Sequence, residues 1–513
     1  MKVAEISYQE TNKFSKLVLD YLNEDEQLKP FINHFPNLEN FEKQITEKHN
    51  HLVNRDILVE VIKQQNASFS LSEKSKNNID LLADKNTFTV TTGHQLCLFT
   101  GPLYFIYKLI STLNLAEQLK AKYPKNNFIP IFWMATEDHD FQEINHINLF
   151  GKKIEWEAKQ SGAVGRMNLD GFESVLEDLK KALGNSDNAI QLISLFENAY
   201  LKHNNLADAT RYLVNELFGK YGLVILDGDD RRLKQQFLPI IKKDVLSQGF
   251  EQTISNCSEN LANEYKAQAY VRPINFFKLS DGKRELIKEG VGEKEIEENP
   301  ENFSPNVLLR PLYQETILPN IAYIGGGAEV AYWMQLKTAF EQENIPFPIL
   351  MLRNSALLID CKQDKKRKDF EISIADLFLD EHQLHKKFVL LSAEATISLH
   401  DEFDKMKLVY ESIMNKTTDA GMQSSIQSQL QKQQKSFKQM EQKLLKLEKQ
   451  KFESSLQQIS KLKLQLFPNS SLQERYENFI PLYLKHGENF IEILKANLNP
   501  LNPNFVVLTP KIK

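Results

Sequence analysis

Three carboxylates and one imidazole stand side by side in the chain, at Glu137, Asp138, His139 and Asp140. They follow an apolar run over 128–135 that has the composition of a buried strand. Carboxylates this close perturb one another's protonation, which suits general acid–base catalysis or cation binding. A hydrated surface turn is the alternative interpretation. The next histidine comes seven residues later, a spacing that is not diagnostic of metal ligands, so no metal is predicted.

Glycine marks places where the backbone must bend or come close to a ligand: Gly93, Gly101, and the run Gly325, Gly326 and Gly327. The run precedes a predicted helix, so its amides could receive an anionic group. An ordinary helix-start turn is the alternative. No P-loop pattern occurs, and no G-x-G-x-x-G follows a strand. These absences disfavour P-loop kinases and GTPases and weaken the case for a dinucleotide oxidoreductase.

A β-α-β unit is predicted to position the first of these groups. Residues 87–92 alternate β-branched and aromatic side chains and stop at Gly93, as a strand does. A helix is predicted from Pro102 to about Lys122, and the strand over 128–135 follows it. Ligands of open α/β sheets bind at the carboxyl ends of the strands, so this edge is the predicted site.

Further polar residues lie close to the same edge in sequence. His94 and Gln95 follow the first strand, and Thr100 and Tyr104 open the helix. Lys108, one turn beyond Tyr104, has two interpretations: a phosphate contact, or a surface lysine whose stem lies on apolar groups while its charge stays in water.

Two arginines, Arg310 and Arg353, each end a short apolar run. A guanidinium group can hold a carboxylate through two parallel hydrogen bonds, so both are candidates to bind substrate carboxylates. Gln314 and Asn354 are their polar neighbours, and Glu329 follows the glycine run.

The composition bounds the class of protein. The 513 residues predict two or three structural units, and a net charge of −5 argues against a nucleic-acid partner. Three scattered cysteines without a Cys-x-x-Cys pair favour neither disulfides nor a thiolate zinc site. The amino terminus does not have the pattern of a signal peptide, and no apolar run approaches the length of a membrane span. We therefore expect a cytoplasmic protein.

Alternating strands and helices predict an α/β fold built on a doubly wound parallel sheet, with core strands expected at 223–227, 307–309 and 346–352. The predicted segments are a helical lead-in and first half of the core (1–150), a first insertion (151–205), core (206–249), a second insertion (250–303), the second half of the core (304–393), a coiled-coil hairpin (394–467), and a C-terminal helix and strand that rejoin the core sheet (468–513).

The hairpin prediction rests on a seven-residue apolar repeat through Leu430, Phe437 and Leu444, with a break near 448–451. We expect an antiparallel helical hairpin that dimerises the protein or props the core.

Four long stretches together resemble the bacillithiol biosynthesis cysteine-adding family, BshC. They read TGHQLCLFTGPLYFIYK (92–108), FWMATEDHDFQEINH (132–146), SPNVLLRPLYQETILPNIAYIGGGAEVAYWMQLK (304–337) and PFPILMLRNS (346–355). The resemblance implies a Rossmann-like core similar to class I aminoacyl-tRNA synthetases, inserted connective peptides and a coiled coil. The nucleotide-binding signatures of those synthetases are absent here, which leaves ATP binding by their usual contacts open.

The same resemblance implies the reaction that joins the carboxyl of L-cysteine to the amine of glucosaminyl malate, with ATP and Mg as the expected activating cosubstrate. The catalytic base is assigned to the cluster Glu137 to Asp140, and the malate carboxylates to Arg310, Arg353 and the glycine amides. No zinc ligand set is visible to select the cysteine thiol. The remaining substrate or nucleotide contacts are predicted at Gly93, His94, Gln95, Thr100, Gly101, Tyr104, Lys108, Asn145, His146, Gln314, Glu329 and Asn354.

Two other functions stay open from the sequence. One is a non-catalytic dimeric scaffold that binds a partner through the coiled coil. The other is a relative of tRNA-charging nucleotidyltransferases, which the acidic balance of the chain disfavours.

Overall fold

A computed structural model describes residues 2–280, 282–393 and 398–510. Its strands are β1 (Lys2–Ser7), β2 (Thr87–His94), β3 (Asn127–Met134), β4 (His146–Leu149), β5 (Lys152–Glu155), β6 (Val224–Asp227), β7 (Phe276–Ser280), β8 (Lys283–Leu286), β9 (Phe303–Pro305), β10 (Asn320–Gly325), β11 (Ile349–Leu352), β12 (Ala356–Leu358) and β13 (Asn504–Thr509).

The α-helices are α1 (Lys16–Leu22), α2 (Asn40–His49), α3 (Arg55–Gln65), α4 (Glu73–Leu81), α5 (Tyr104–Lys122), α6 (Phe141–Ile144), α7 (Phe172–Leu183), α8 (Asp187–Leu201), α9 (Leu206–Phe218), α10 (Arg231–Ser247), α11 (Glu251–Ala262), α12 (Glu293–Glu298), α13 (Arg310–Ile317), α14 (Gly327–Met334), α15 (Lys337–Gln342), α16 (Cys361–Asp369), α17 (Glu381–Ser392), α18 (His400–Met414), α19 (Ala420–Lys451), α20 (Glu453–Leu466), α21 (Ile480–His486) and α22 (Asn489–Asn497).

A five-stranded parallel sheet forms the centre of the fold, in the order β11-β10-β2-β3-β6. Successive residues of β3 face different cores: Ile131 and Trp133 pack into one cluster, and Phe132 into another. Both faces of the sheet are therefore covered, which confirms the predicted doubly wound parallel sheet. The chain order reverses between β2 and β10, and the loops that follow these two strands diverge there to leave a crevice.

The expected core strand at 307–309 is wrong. The side chain of Asn306 accepts hydrogen bonds from the amides of Leu308 and Leu309 (2.9 and 3.2 Å), and this turn leads directly into α13. The strand that pairs with β2 on the side away from β3 is β10. Its six residues lie between Pro319 and Gly326, and so short an apolar pattern does not distinguish a strand from a loop.

The C-terminal strand does not rejoin the parallel sheet as expected. It forms the middle of a separate sheet, antiparallel to β1 and parallel to β12. The lead-in is also not purely helical, because β1 opens it. The first and last strands of the described chain thus pair with each other.

The first predicted insertion contains β5, α7 and α8, and β5 pairs with β4, which lies just before it; the second contains β7 and β8, and β7 also pairs with β9 at its end. In the second insertion the first strand begins at Phe276. The exact segment boundaries stay predictions, and the boundary at 393/394 touches residues 394–397, which are outside the described residues.

Two helices of the coiled-coil region, α18 and α19, pack side by side. The rings of Phe403 and Phe437 meet edge to face, with their centres 5.7 Å apart. The predicted break is present, since α19 ends at Lys451 and α20 begins at Glu453. Apolar side chains remain exposed along this hairpin, among them Met440, Leu444 and Leu447. No helix among the described residues is long and apolar enough to cross a membrane.

The turn between β2 and α5 is conformationally demanding. Phe99, Thr100 and Gly101 all have positive φ (49°, 69° and 66°). The side-chain amide of Asn478 donates to the carbonyls of Phe99 and Gly101 (2.8 and 2.6 Å), which anchors the turn to the C-terminal part of the chain. A Cβ on Gly101 would lie 2.5 Å from the Cβ of Cys97.

We expect Gly101→Ala to lower the thermal unfolding midpoint by several degrees, because the new methyl group adds a clash to an unfavourable φ, at a cost of roughly 1–3 kcal/mol or more. Gly184→Ala is the matched control. Gly184 also has positive φ (74°) but has no atom within 4 Å of its virtual Cβ. Equal shifts for the two variants, measured by circular dichroism, would contradict the importance of the close approach to Cys97.

Candidate functional site

A cavity of about 530 Å³ opens at the crevice between the carboxyl ends of β2 and β10. This is the place where ligands bind in doubly wound sheets. Residues from both halves of the sheet and from the C-terminal region line it. The residues predicted from the sequence that line this cavity are Gly93, His94, Gln95, Tyr104, Lys108, Asp138, Arg310, Gly326, Gly327, Glu329 and Arg353.

A buried ion pair joins the two walls of the cavity. The Nζ of Lys108 lies 2.6 Å from Oε2 of Glu329 and donates to the carbonyl of Gly93 at 2.7 Å. Glu329 also accepts from the Tyr323 hydroxyl (2.7 Å) and the Gly326 amide (2.8 Å). Burial opposes the charge of Glu329, but Lys108 and these hydrogen bonds outweigh it and hold the pKa of the carboxyl below its usual value.

This arrangement decides two of the sequence interpretations. Lys108 is only 2% exposed, so its interpretation as a surface lysine is wrong. The Gly326 amide already serves the Glu329 carboxylate, so it is not free to receive a ligand anion as expected. Gly325 lies behind it at the end of β10, where its carbonyl accepts from the Arg353 amide at 2.9 Å.

Arg310 enters the cavity between aromatic rings. Its guanidinium carbon lies 5.4 Å from the ring centre of Tyr323 and 5.9 Å from those of Trp133 and Trp333. Its Nη1 donates to Oε1 of Gln314 at 3.0 Å, and its buried Nη2 has no hydrogen-bond partner among the described residues. A buried donor without a partner is costly, which makes Nη2 a natural contact for a bound anion.

Arg353 reaches the same cavity from the end of β11. It lies over the ring of Tyr104 at 5.0 Å, and its Nε has no partner among the described residues. Its Nη1 donates to Glu474 (2.7 Å), Ser355 (3.1 Å) and the carbonyl of Asn354 (3.0 Å). Its charge is therefore largely compensated before any ligand binds.

His94 is a neutral group in this setting. Burial, with a further contribution from Lys108, lowers the pKa of its imidazole to about 3. Its ring stacks on Phe105 at 4.8 Å and meets Tyr104 edge-on at 5.3 Å. The Cys97 thiol lies 4.0 Å from its Nε2, and burial raises the pKa of this thiol to about 12, so the thiol stays protonated.

The acidic cluster separates into two directions. Glu137 turns away from the cavity, with Oε1 2.5 Å from the Nζ of buried Lys234, and burial raises its pKa despite that partner. Asp138 faces the cavity and accepts from Gln95 at 2.8 Å, while Glu143 accepts from the same amide at 3.0 Å. Asp138 is thus the member of the cluster that a ligand in the cavity would meet.

His139 and Asp140 lie at the exposed rim. The ligand atoms of Asp138, His139 and Asp140 come within 4.8 Å of one another, a grouping that could hold a cation. Nη1 of Arg284 lies 2.9 Å from Nδ1 of His139, however, and this positive charge opposes a metal ion at that nitrogen. That no metal binds at this cluster therefore stays the prediction.

Other predicted site residues do not line the cavity. Asn145 and His146 lie at the hairpin β4–β5, where the Asn145 amide donates to Glu155 (3.2 Å) and to the Trp156 carbonyl (3.3 Å). Asn354 is buried against Ser111. Thr100 and Gly101 belong to the turn before α5, and Gln314 is fully buried behind Arg310.

Some lining residues had no usable sequence signal. Arg475 comes from a short turn near the C-terminus, far from every motif, and only the packing of that region brings it to the cavity. Trp133 and Tyr332 had the pattern of core residues, and both also line the cavity.

A second cavity, of about 560 Å³, lies between the hairpin β4–β5, the start of α16 and residues 473–486. It is slightly larger, but it contains none of the residues predicted to act in the reaction. Burial raises the pKa of Glu477, which lines it, to about 7. The chemistry-bearing groups converge at the crevice of the sheet, which we take as the functional site.

Comparisons with known proteins agree with this fold. Residues 1–354 match the model described as "Bacillithiol biosynthesis BshC, N-terminal Rossmann-like domain", and residues 356–510 match "Bacillithiol biosynthesis BshC, C-terminal coiled-coil domain". Similar proteins from Flavobacterium johnsoniae, Christiangramia forsetii and Cytophaga hutchinsonii are 45%, 44% and 37% identical and carry the name "Putative cysteine ligase BshC". Each match covers 98% of this chain, and 99%, 98% and 98% of the respective relatives. Because the two models together match almost the whole chain, the chain belongs to the BshC family of bacillithiol biosynthesis.

Proposed function

We propose that this protein is a cysteine ligase that joins the carboxyl of L-cysteine to the amine of glucosaminyl malate, in the last step of bacillithiol synthesis. The observation that supports it best is the crevice cavity itself, which is lined by the Asp138 carboxylate and by Arg310 and Arg353, each with one nitrogen that has no hydrogen-bond partner in the described part of the chain. The names of the relatives support the ligase class.

The reaction needs an activated carboxyl group, because an amine does not displace the oxygen of a free carboxylate. We propose ATP, with Mg, as the activating cosubstrate. If the reaction proceeds through an acyl-adenylate, ATP is converted to AMP and pyrophosphate. If it proceeds through an acyl-phosphate, ATP is converted to ADP and phosphate. The start of α14 at Gly327 and Ala328 lines the cavity and would meet phosphate groups with its helix dipole.

The remaining roles follow from charge and position. Asp138 is proposed as the base that takes a proton from the sugar ammonium, because it is the carboxylate of the acidic cluster that faces the cavity. Arg310 and Arg353 are proposed to hold the carboxylates of the malate moiety. The free thiols Cys97, Cys257 and Cys361 fit a reducing cytoplasmic location, which we also propose.

The purified protein should convert L-cysteine and glucosaminyl malate to bacillithiol only when Mg-ATP is present, as measured by mass spectrometry of the product. AMP as co-product would identify the adenylate route, and ADP the acyl-phosphate route. Reactions lacking cysteine are the control for nucleotide hydrolysis. If no product forms with or without ATP, the ligase proposal fails and the dimeric scaffold becomes the better interpretation.

Asp138→Asn should lower kcat by about 100-fold or more with little change in KM, because the amide cannot accept the proton. Glu143→Gln is the matched control, since it neutralises the other carboxylate that accepts from Gln95, and Glu143 does not line the cavity. Steady-state kinetics of both folded variants, with His139→Ala beside them, give the test. Near-normal turnover of Asp138→Asn would move the base to another group.

We also propose a homodimer formed through the coiled coil. Met440, Leu444 and Leu447 follow a helical spacing on α19 and are 41%, 37% and 58% exposed in the single chain. A charged residue at the centre of this apolar row should prevent its burial between two copies.

Leu444→Glu combined with Leu447→Glu should therefore halve the molar mass in solution, as measured by light scattering or sedimentation. Gln442→Glu, which adds a charge at an exposed polar position of the same helix, should leave the mass unchanged. A double variant that keeps the mass of the unmodified protein would place any dimer contact elsewhere.

A further inference from the structure

Two buried cations, Lys108 and Arg353, and one partly buried cation, Arg310, reach the crevice cavity, and their partners differ. Lys108 is paired with Glu329 at 2.6 Å and Arg353 with Glu474 at 2.7 Å. Arg310 has no carboxylate within 4.0 Å among the described residues, and a neutral amide, Gln314, contacts its Nη1 instead. Among these three cations, its charge is therefore the one that a bound anion meets with the least competition.

The amide of Gln314 can adopt only one orientation. Arginine only donates hydrogen bonds and an ionised carboxylate only accepts them, so Gln314 must direct Oε1 to Arg310 and Nε2 to Glu315. The distances are 3.0 Å to Nη1 of Arg310 and 2.9 Å to Oε1 of Glu315. Gln314 and Glu315 are both 0% exposed, so water does not compete for these bonds.

Glu315 is itself fixed by buried groups. Its Oε1 also accepts from the Asn320 amide at 2.7 Å, and its Oε2 accepts from the Nζ of Lys48 at 3.0 Å. Lys48 neutralises the carboxylate, so the network behind Gln314 carries little net charge toward Arg310. The hydroxyls of Thr89 and Thr91 donate to Oδ1 of Asn320 and tie the network to the central strand β2.

The aromatic rings close the other sides. The ring centres of Trp133, Tyr323 and Trp333 lie 5.4–5.9 Å from the guanidinium carbon of Arg310. The faces of these three rings carry no conventional hydrogen-bond acceptor for it. Gln314 holds one end of the guanidinium, the rings limit its plane, and the buried Nη2 has no hydrogen-bond partner among the described residues. Gln314, predicted from sequence as a ligand contact, cannot reach the cavity itself.

We propose that Gln314, backed by the buried network of Glu315, Lys48 and Asn320, is a positioning residue that orients Arg310 for one carboxylate of a dicarboxylate substrate. The inference rests on the proposed function, because it deepens the role given to Arg310 there. The neutral amide fixes the guanidinium without cancelling its charge, so both orientation and electrostatic attraction are retained for the ligand. Loss of the amide should therefore weaken anion binding more than it slows the chemical step.

The test uses the full-length protein and free malate as the probe. Gln314→Leu should raise the malate dissociation constant measured by calorimetry about ten-fold or more, since a hydrogen bond to a charged group is lost. The KM for glucosaminyl malate should rise in parallel, with kcat within about two-fold of the unmodified enzyme.

Gln335→Leu is the matched control. Gln335 is also 0% exposed and hydrogen-bonded, to the amides of Gln268 and Ala269, but it does not contact Arg310. It should lower the thermal unfolding midpoint without changing malate affinity. In an Arg310→Lys background, Gln314→Leu should add less than about a two-fold loss of affinity, because its effect acts through Arg310.

If Gln314→Leu does not fold, Gln314→Asn keeps a buried amide, shortens its reach by one methylene and should show the same direction of change. Malate affinity equal to that of the unmodified protein in either folded variant, or losses that simply add in the Arg310→Lys background, would overturn the proposal. Malate that does not bind the unmodified protein at all would overturn it too. Should malate binding behave as expected while no ligation occurs, the positioning role stands and the proposed reaction fails.

Discussion

The ion pair between Lys108 and Glu329 is the interaction on which the site depends. Lys108 is carried by α5, which follows β2, and Glu329 by α14, which follows β10. These helices begin on the two sides of the crevice where the strand order reverses. A buried pair stabilises only if its remaining donors and acceptors are satisfied, and here the Gly93 carbonyl, the Tyr323 hydroxyl and the Gly326 amide do so. Removing the charge of Glu329 would leave Lys108 buried and unpaired.

The hydrogen bonds that stabilise this pair determine which groups of the cavity remain available to a ligand. The glycine run after β10 has the local pattern of an anion-binding turn, but its Gly326 amide already donates to the protein's own Glu329. Attraction for a substrate carboxylate then falls to the arginines, and chiefly to Arg310, whose guanidinium has no carboxylate partner among the described residues. The same low-dielectric setting keeps His94 neutral and the Cys97 thiol protonated. The described groups of the cavity therefore offer fixed cations and the Asp138 carboxylate, beside the Glu329 carboxylate that is paired with Lys108, rather than a set of titrating histidines.

The C-terminal part of the chain is part of the site and not only an appendage. Glu474 accepts from Arg353 and from the Ala356 amide, and Asn478 anchors the turn before α5. The strand β13 lies between β1 and β12, which joins both ends of the described chain next to the end of β11. Arg475 enters the cavity from the same region. The coiled-coil helices, inserted between β12 and this segment, can thus be long without separating the residues that build the crevice.

The parallel sheet, its crevice edge and most of the residues around that edge can be predicted from the amino-acid pattern alone. Continuous apolar strands such as 128–135, each followed by polar residues, leave few alternatives to a sheet covered on both faces, and they direct Gly93, His94 and Asp138 to one edge. Side-chain periodicity also located the antiparallel hairpin and its break, because a shift of the apolar repeat is readable residue by residue. These features are local, and each depends on neighbours within a few turns of the chain.

Only the tertiary structure decided what each polar group does at that edge. Adjacent carboxylates Glu137 and Asp138 face opposite directions, since Lys234 attracts one and Gln95 the other, and neither partner is near them in sequence. The position of β10 beside β2, the pairing of β13 with β1, and the network from Lys48 to Arg310 all join residues more than two hundred positions apart. Such contacts are selected by complementary burial and hydrogen bonding in three dimensions, and a one-dimensional pattern carries no record of which distant partner satisfies a buried group.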